Sequence, residues 1–593
     1  MKTIPRITVV LSCCLLSGGL SFVSCMEDAY DMDNIDKTMA LGSDKLQLPI
    51  KNSVKDILLD DILDIKDSKS VTIDAEGNYH YSQNSTIDDV NDIKVDKIVL
   101  AKAGEPIENP VKIDIEDFAA SIPDGTELDF TGASIHDKIE TFSYFSNPQD
   151  KVVDLTSADL HGEMTLEVYF SSKLRKVVET VDEMSIELPP FMDFEVLQMP
   201  GNAVRNGNII TFTNQSTDGT ARVKINVTKL DFAVDKNSQS DNCITFDTNK
   251  RTVNMMGKAT VEATITKLKK RTIADDGYAS AAIRSTLTID DIVIDKATGK
   301  FSPDITMKDS NIQLNDLPKF LTEDDVVADL YNPQILLEAN SQLPMAGIIN
   351  LTLVAKKDGA VLKTIEVEDI KIAEQQENHI CISRRDENIP AGYIKKIVPN
   401  LSEIIETVPD IIEVHITAKA DESNIYTIAL GQNYSLTDIT YSIQAPLAFG
   451  EKARVIYSSY EDGWASDMPE DMDFEKGAYI ELTANMDSNV PMNLTMVVKA
   501  IDVEKNEIAN VVCTVDQDIK GSNDGQVVTT PVKVRIERNN NSGKLTDVDG
   551  IRFTLEAAAD NTLKGQILNA HQHKLTVRDI KATIYGRVIA DFN

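Results

Sequence analysis

Met164-Thr165-Leu166-Glu167-Val168-Tyr169-Phe170 decides the fold class, because Met164, Leu166, Val168 and Phe170 alternate with Thr165, Glu167 and Tyr169. A period of two puts the apolar side chains on one face of an extended strand and the polar ones on the other. The pattern recurs. Val223, Ile225 and Val227 alternate with Lys224 and Asn226; Val261, Ala263 and Ile265 with Glu262, Thr264 and Thr266; Val532, Val534 and Ile536 with Lys533, Arg535 and Glu537. One-sided strands of this kind belong to antiparallel sheets with one wet face. Turn signals separate them: Asn206-Gly207, Asp276-Gly277, Thr298-Gly299, Asp358-Gly359 and Asn539-Asn540-Asn541-Ser542-Gly543. The spacing predicts a mainly β, multi-domain chain of antiparallel β-sandwich or barrel-like units.

A few short amphipathic helices are expected between the strands. Ser53 to Leu63 carries apolar residues at helical spacing behind a Ser cap. Leu174-Arg175-Lys176-Val177-Val178-Glu179-Thr180-Val181 matches Leu401-Ser402-Glu403-Ile404-Ile405-Glu406-Thr407-Val408 at every apolar position, and both lead straight into strands. Val71 to Ser82, with Ala75-Glu76-Gly77-Asn78 at its centre, reads as a hairpin.

One β unit is duplicated. Leu337-Glu338-Ala339-Asn340, Pro344-Met345 and Asn350-Leu351-Thr352-Leu353-Val354 recur in order as Leu482-Thr483-Ala484-Asn485, Pro491-Met492 and Asn493-Leu494-Thr495-Met496-Val497. Loops of differing length separate the blocks, as in strand-loop-strand units.

The amino terminus gives an address. Lys2 and Arg6, an apolar run from Ile7 to Leu16 and small residues leading to a cysteine form a secretory signal. Phe22-Val23-Ser24-Cys25 resembles the lipobox of bacterial lipoproteins, which implies lipidation of Cys25 as residue one of the mature chain. Acidic residues directly after it, here Glu27 and Asp28, resemble the signal that Bacteroidetes lipoproteins use for export to the outer face of the outer membrane. A periplasm-facing position is the alternative. Two or three acyl chains make an effectively permanent tether, so contact with the membrane runs through the lipid. Leu48-Pro49-Ile50, Val408-Pro409-Asp410-Ile411-Ile412-Glu413 and Tyr441-Ser442-Ile443-Gln444-Ala445-Pro446-Leu447-Ala448-Phe449-Gly450 extend the resemblance to large Bacteroidetes lipoproteins of unassigned function. It implies a cell-surface β protein without a known catalytic site.

Of 593 residues, 59 are basic and 95 acidic; loss of Lys2 and Arg6 with the signal leaves 57 against 95, a net of −38. A phosphate backbone needs a basic footprint, so nucleic acid is not a partner. Cys13 and Cys14 leave with the signal and Cys25 carries lipid, so Cys243, Cys381 and Cys513 remain, an odd and scattered set that reads as free thiols.

Catalytic patterns are missing: no Gly-x-Ser-x-Gly, no phosphate-binding Gly-x-x-x-x-Gly-Lys-Ser/Thr, no Gly-x-Gly-x-x-Gly and no His-Glu-x-x-His. His571-x-His573 would share a strand face, but no further His or Cys lies within twenty residues, so a polar strand start is the reading taken. Asp547 and Asp549 followed by Glu556 echo the back half of a calcium loop, yet Leu545 stands where the first Asp belongs, so the reading taken is an acidic turn. The residues Tyr457, Tyr460 and Trp464, the last being the chain's one Trp, form the only plausible recognition patch, although rings covering the end of a sandwich are the reading taken.

The domain reading is a signal peptide over 1–24, lipidated Cys25 and an acidic disordered tether over 25–45, and an N-terminal β-rich domain over 46–235. A middle β domain with the first copy follows over 236–375, a helix-plus-β domain with the second over 376–520, and C-terminal strands over 521–593. The expected function is a lipid-anchored surface protein that binds or scaffolds without catalysis or cofactor, its ligand a protein, glycan or lipid. A tubular cradle for a hydrophobic ligand and a glycan-capture lipoprotein are the alternatives.

Overall fold

A computed structural model describes residues 38–41, 45–48, 55–59, 70–102, 107–108, 110–113, 123, 125–234, 242–269, 281–289, 292–314, 321, 325–464, 472–539 and 545–591. Strands dominate it, antiparallel in every ladder except that between Glu377–Ser383 and Ile394–Ile397. The mainly β, multi-domain expectation holds.

Two sandwiches carry the duplicated unit. In the first, Gln334–Ser341 lies between Glu377–Ser383 and Tyr434–Pro446, and this sheet faces another in which Gly347–Lys357 lies between Ala360–Ile372 and Ile411–Ala420. In the second, Tyr479–Ser488 lies between Val528–Arg538 and Lys574–Tyr585, facing a sheet of Arg454–Glu461, Gly550–Ala558 and Asn493–Ile501. Inward residues of each pair of sheets interdigitate: Leu337, Ile380 and Tyr441 with Leu351 and Val414 in one, Ile480, Val534 and Ile584 with Leu494 and Leu555 in the other.

The copies correspond more deeply than their matching blocks. Each has a 3-10 turn (Leu401–Ile404, Leu545–Asp547) before its Ile411–Ala420 or Gly550–Ala558 strand. Buried Ser341 and Ser488 end equivalent strands and accept the amide hydrogens of Leu343 and Val490, both at 3.3 Å. Register slips at Glu338/Asn340 and at Thr483/Asn485, opposite Asp438-Ile439 and Asp579-Ile580. Asp438 and Asp579 have φ of 54° and 56°, a left-handed conformation that Asp tolerates better than most residues. Asp92 before Ile93 and Asp369 before Ile370 share it, with φ of 67° and 55°, so an Asp-Ile pair occupies four strand irregularities among the described residues.

Residues 98–301 form a lobe inserted into the first sandwich. Its main path runs Met192–Gln198, Ala221–Asp231, Val152–Phe170, Ile292–Phe301, Ile98–Lys102, Glu127–Ser146, Thr252–Lys269, Thr180–Glu187, Ile209–Ser216, Ala203–Asn206. The sheet curls round one core, which collects Met164, Leu166 and Val168, the alternating residues named first, with Ile225, Val261, Met184 and Phe212. The two end strands are joined by residues 199–202 without a ladder between them, and the Arg205 guanidinium lies 4.0 Å from the Phe194 ring centroid across the seam. At Gly257 a Cβ would come within 2.3 Å of the Phe142 ring, so any larger residue would require that ring to move.

Several expectations are corrected. The helix of the lobe spans only Ser172–Val177, capped by Ser171 Oγ at 3.3 Å from the Leu174 amide, because the β-branched run beyond it favours strand. Its match at Leu401–Ile404 is a 3-10 turn. Within the expected helix at Ser53 to Leu63, Lys55–Leu58 is a strand on the open edge of Lys574–Tyr585, whose backbone groups outweigh weak helical propensity. Order begins before the expected limit of the tether: Thr38–Leu41 pairs with Val588–Asp591, and Lys45–Leu48 with residues 582–585. Consecutive domains are replaced by nested ones. The boundaries at 235, 375 and 520 each fall inside a body, since Val152–Phe170 pairs with Ile292–Phe301, Gly347–Lys357 with Ile411–Ala420 and Tyr479–Ser488 with Val528–Arg538. The Val71 to Ser82 hairpin forms as expected and joins the first sandwich through Tyr434–Pro446.

Candidate functional site

The three-stranded sheet of the second sandwich has an outer face built by register. Tyr460 stands opposite Arg552 and Arg552 opposite Lys499; Ser458, Thr554 and Val497 make the next row, and Ile456, Glu556 and Thr495 the one after. Alternation sends Val455, Leu555 and Leu494 the other way, into the interior, Val455 in a neighbouring cluster. Tyr460 is 46% exposed, and the Lys505 ammonium lies 3.6 Å from its ring centroid while 3.0 Å from Asp462 Oδ2. Bonding to Tyr460 and then to Asp462 holds that ammonium above its ordinary pKa. Arg552 Nη2 fixes the same turn by donating to the Lys505 carbonyl at 2.9 Å. Glu556 takes Arg454 in two contacts, at 3.0 and 3.3 Å, and Ser458 Oγ meets Thr554 Oγ1 at 3.0 Å. Ring, hydroxyls, guanidinium and carboxylate on one face of the sheet suit recognition of a polar surface.

This face divides the expected patch. Tyr457 and Tyr460 are three apart on one strand, so they point to opposite sides; Tyr457 packs on the core, as does Trp464, whose amide donates to the Asp549 carbonyl at 2.8 Å. Tyr460 alone remains outside. Arg552, Lys505, Lys499 and Thr554 were not named from sequence, because strand register carries no local signal.

The residues weighed for metal do not converge. Asp547 is exposed, whereas Asp549 is buried and its Oδ2 accepts the Gly463 amide at 3.2 Å, a loop-capping role. Glu556 lies along the strand with Arg454. His571 and His573 precede the Lys574–Tyr585 strand instead of lying on it: His571 is exposed, while buried His573 accepts the Asn569 amide through Nδ1 at 3.0 Å. Among the described residues no three His, Cys, Asp or Glu are grouped to hold a metal ion. Cys25, Glu27 and Asp28 lie outside the described residues. Cys243, Cys381 and Cys513 form no disulfide with one another, and Cys381 is buried while the others are half-buried.

A cluster of titratable groups lies on the first sandwich: Tyr393 donates to Glu338, and His379 Nδ1 is 3.5 Å from the same carboxylate. Burial and then the Glu338 bond push Tyr393 up to about 12, while that bond lowers Glu338. Both move away from neutrality, opposite to what proton transfer near pH 7 asks.

No helix of the described residues is long and apolar enough to cross a membrane. No family model matches the chain, and no curated protein matches it. Among solved structures, it is similar to a Parabacteroides distasonis protein whose description is that of a secreted protein, with 16% identity over 48% of this chain and 89% of that one and a TM-score of 0.36. A structure of infectious bursal disease virus, Gt strain, aligns over 90% of this chain and 86% of its own at 8% identity and a TM-score of 0.10.

Proposed function

We propose that this is a lipoprotein of the outer membrane, anchored through Cys25 with Glu27 and Asp28 directing it outward, and that it acts as a non-catalytic binding scaffold. The observation that carries the reading is the pairing of Thr38–Leu41 with Val588–Asp591. Twelve residues lie between Cys25 and Thr38, a reach of at most about 47 Å over the thirteen Cα steps. The second sandwich is therefore the body nearest the bilayer. The lobe packs on the first sandwich through Met345, Ala420, Ile428 and Leu430, which makes it the body furthest along from the anchor. The Tyr460 face offers a recognition surface on the anchored body, for a protein or glycan ligand.

A lipid cradle finds less support in the described residues of the first sandwich. The first sandwich has an apolar cavity of about 60 Å3 among Leu330, Leu353, Leu401, Ile404, Val408 and Leu447, against the roughly 150 Å3 that holds a benzene ring.

Mass spectrometry of the purified amino terminus tests the anchor: an acylated Cys25 is expected, and an unmodified end at another residue overturns it. Protease shaving of intact cells tests direction; loss of the lobe supports outward display, and protection until the outer membrane is breached reverses it. Binding to protein and glycan panels that weakens at least tenfold in Tyr460→Ala and Arg552→Ala supports the face, and binding indifferent to both removes it.

A further inference from the structure

The two sandwiches meet where the 74–78 turn of the N-terminal hairpin docks on residues 567–573. Backbone bonds cross the joint: the Tyr79 amide donates to the Leu568 carbonyl at 3.1 Å and the Ala570 amide to the Gly77 carbonyl at 2.8 Å. Asn569 is its hub, 5% exposed. Its Nδ2 donates to the Glu76 carbonyl at 2.9 Å and to Asn78 Oδ1 at 3.0 Å, while its Oδ1 accepts the amides of His571 and Gln572 at 2.9 and 3.0 Å. The Asn569 amide donates to His573 Nδ1, so that nitrogen must be free of a proton and the ring's hydrogen must sit on Nε2. The His573 amide closes the loop by donating to the Asn569 carbonyl at 3.0 Å. His571 packs over Gly77, where a Cβ would come within 2.6 Å of its Nδ1.

We propose that this joint is a histidine latch: a proton taken from solvent onto Nδ1 of His573 faces the Asn569 amide donor, breaks the bond to the hub and frees the hairpin turn from the second sandwich. Burial holds the His573 imidazole below its ordinary value. The sign follows. Below about pH 6.5 the released ring binds a proton that the latched ring refuses, so the closed joint loses stability as pH falls and keeps it above.

The other charged and titratable groups at the joint are Asp74, Glu76 and His80 on the hairpin, His571 and Lys574 on the turn and the following strand, and Asp56 at 3.4 Å from Lys574. Among the described residues none of them bonds to the His573 ring. His80 Nε2 lies 2.9 Å from Asp74 Oδ2, a contact made within the hairpin. Asp74 is held down to about 2, since the bonds from Asn78 and His80 outweigh its desolvation, so the turn keeps its own cap while the latch opens. The release is thus a property of the joint and not of the hairpin.

Hydrogen exchange of the full chain, corrected for intrinsic rates and followed for peptides 74–80 and 565–573, tests this between pH 7.5 and 5.0. Wild type is expected to lose about tenfold in protection over that range at the joint, with the lobe peptides unchanged. His573→Gln, whose side-chain oxygen accepts the same amide but takes no proton, is expected to show a flat profile, and His80→Gln to keep the wild-type loss. A flat wild-type profile overturns the latch, as does an equal loss in His573→Gln. Should His573→Gln not fold, the histidine NMR signals of wild type decide: loss of protection that tracks the His573 titration supports the latch, and loss that tracks another histidine overturns it.

Discussion

Arg384 Nη1 reaches Asp329 Oδ1 at 2.7 Å beneath the loop that closes the first sandwich, and both groups are largely shut off from water. Ser402 Oγ and the Lys452 amide also turn to that carboxylate, at 3.4 and 3.1 Å, while Arg384 Nη1 takes the Leu330 carbonyl at 2.7 Å. A Cβ on Gly450 would lie 2.2 Å from Asp329 Oδ2. Removing the cation strands a buried carboxylate, so Arg384→Met is expected to cost about 3–5 kcal/mol in urea unfolding. Arg384→Met with Asp329→Leu should cost less than the single change; a double variant worse than the sum denies the pairing.

The left-handed aspartates make a paired prediction across the copies. Asp438→Val and Asp579→Val place a β-branched residue at φ of 54° and 56°, and each is expected to lose about 1–2 kcal/mol. Glycine at either site should be close to neutral by the same measurement. Equal tolerance of valine and glycine would mean that the register slip is not set by these residues.

Four side chains stack across the outer face of the second sandwich and tie in the amino-terminal segment. Tyr479 and Tyr585 lie with ring centroids 4.7 Å apart at 10°, Arg535 covers the first at 3.8 Å, and Lys45 covers the second at 5.2 Å. Tyr585→Ala removes the ring that Lys45 covers. Proteolysis within residues 38–58 is expected to quicken by a factor of about 2 to 10, with cleavage of the lobe unaltered. Unchanged cleavage would leave the backbone ladder as the sole tie.

Thiol chemistry follows burial. Burial pushes the Cys513 thiol up to about 11, against a small opposing bond from the Ala500 backbone, and raises Cys381 as well. At pH 8 the Cys513 thiolate should be about two orders of magnitude scarcer than for an ordinary cysteine. Its rate of reaction with an aromatic disulfide reagent should be low at pH 8 and climb until about pH 11. Prompt labelling of native Cys513 at pH 8 would contradict that burial.

Strand content was legible because a wet-faced strand writes its burial into alternate residues, as Met164 to Phe170 did. The duplication was legible because equivalent inward positions in two sandwiches keep the same residue types. The left-handed Asp-Ile sites at 92–93, 369–370, 438–439 and 579–580 were not legible, because the same dipeptide stands at 56–57, 304–305, 410–411 and 518–519 without a left-handed Asp. Helices were overcalled at Ser53 and Leu401, where apolar spacing fits both a helix and a short irregular segment, and the partner edge decides.

The amino-acid sequence by itself determined which face of each strand is apolar, which segments are copies of one another, and the pattern around Cys25 from which the anchor is read. Tertiary structure alone decided that Thr38 meets Asp591, that the lobe is an insertion, that Tyr460 parts from Tyr457 and Trp464, and that Asn569 joins His573 to a hairpin nearly 500 residues upstream. The physical reason is the reach of the forces involved. Alternation and turn conformation are set by neighbours in the chain, whereas ladder register and buried polar networks are set by groups that come together only when the chain has folded.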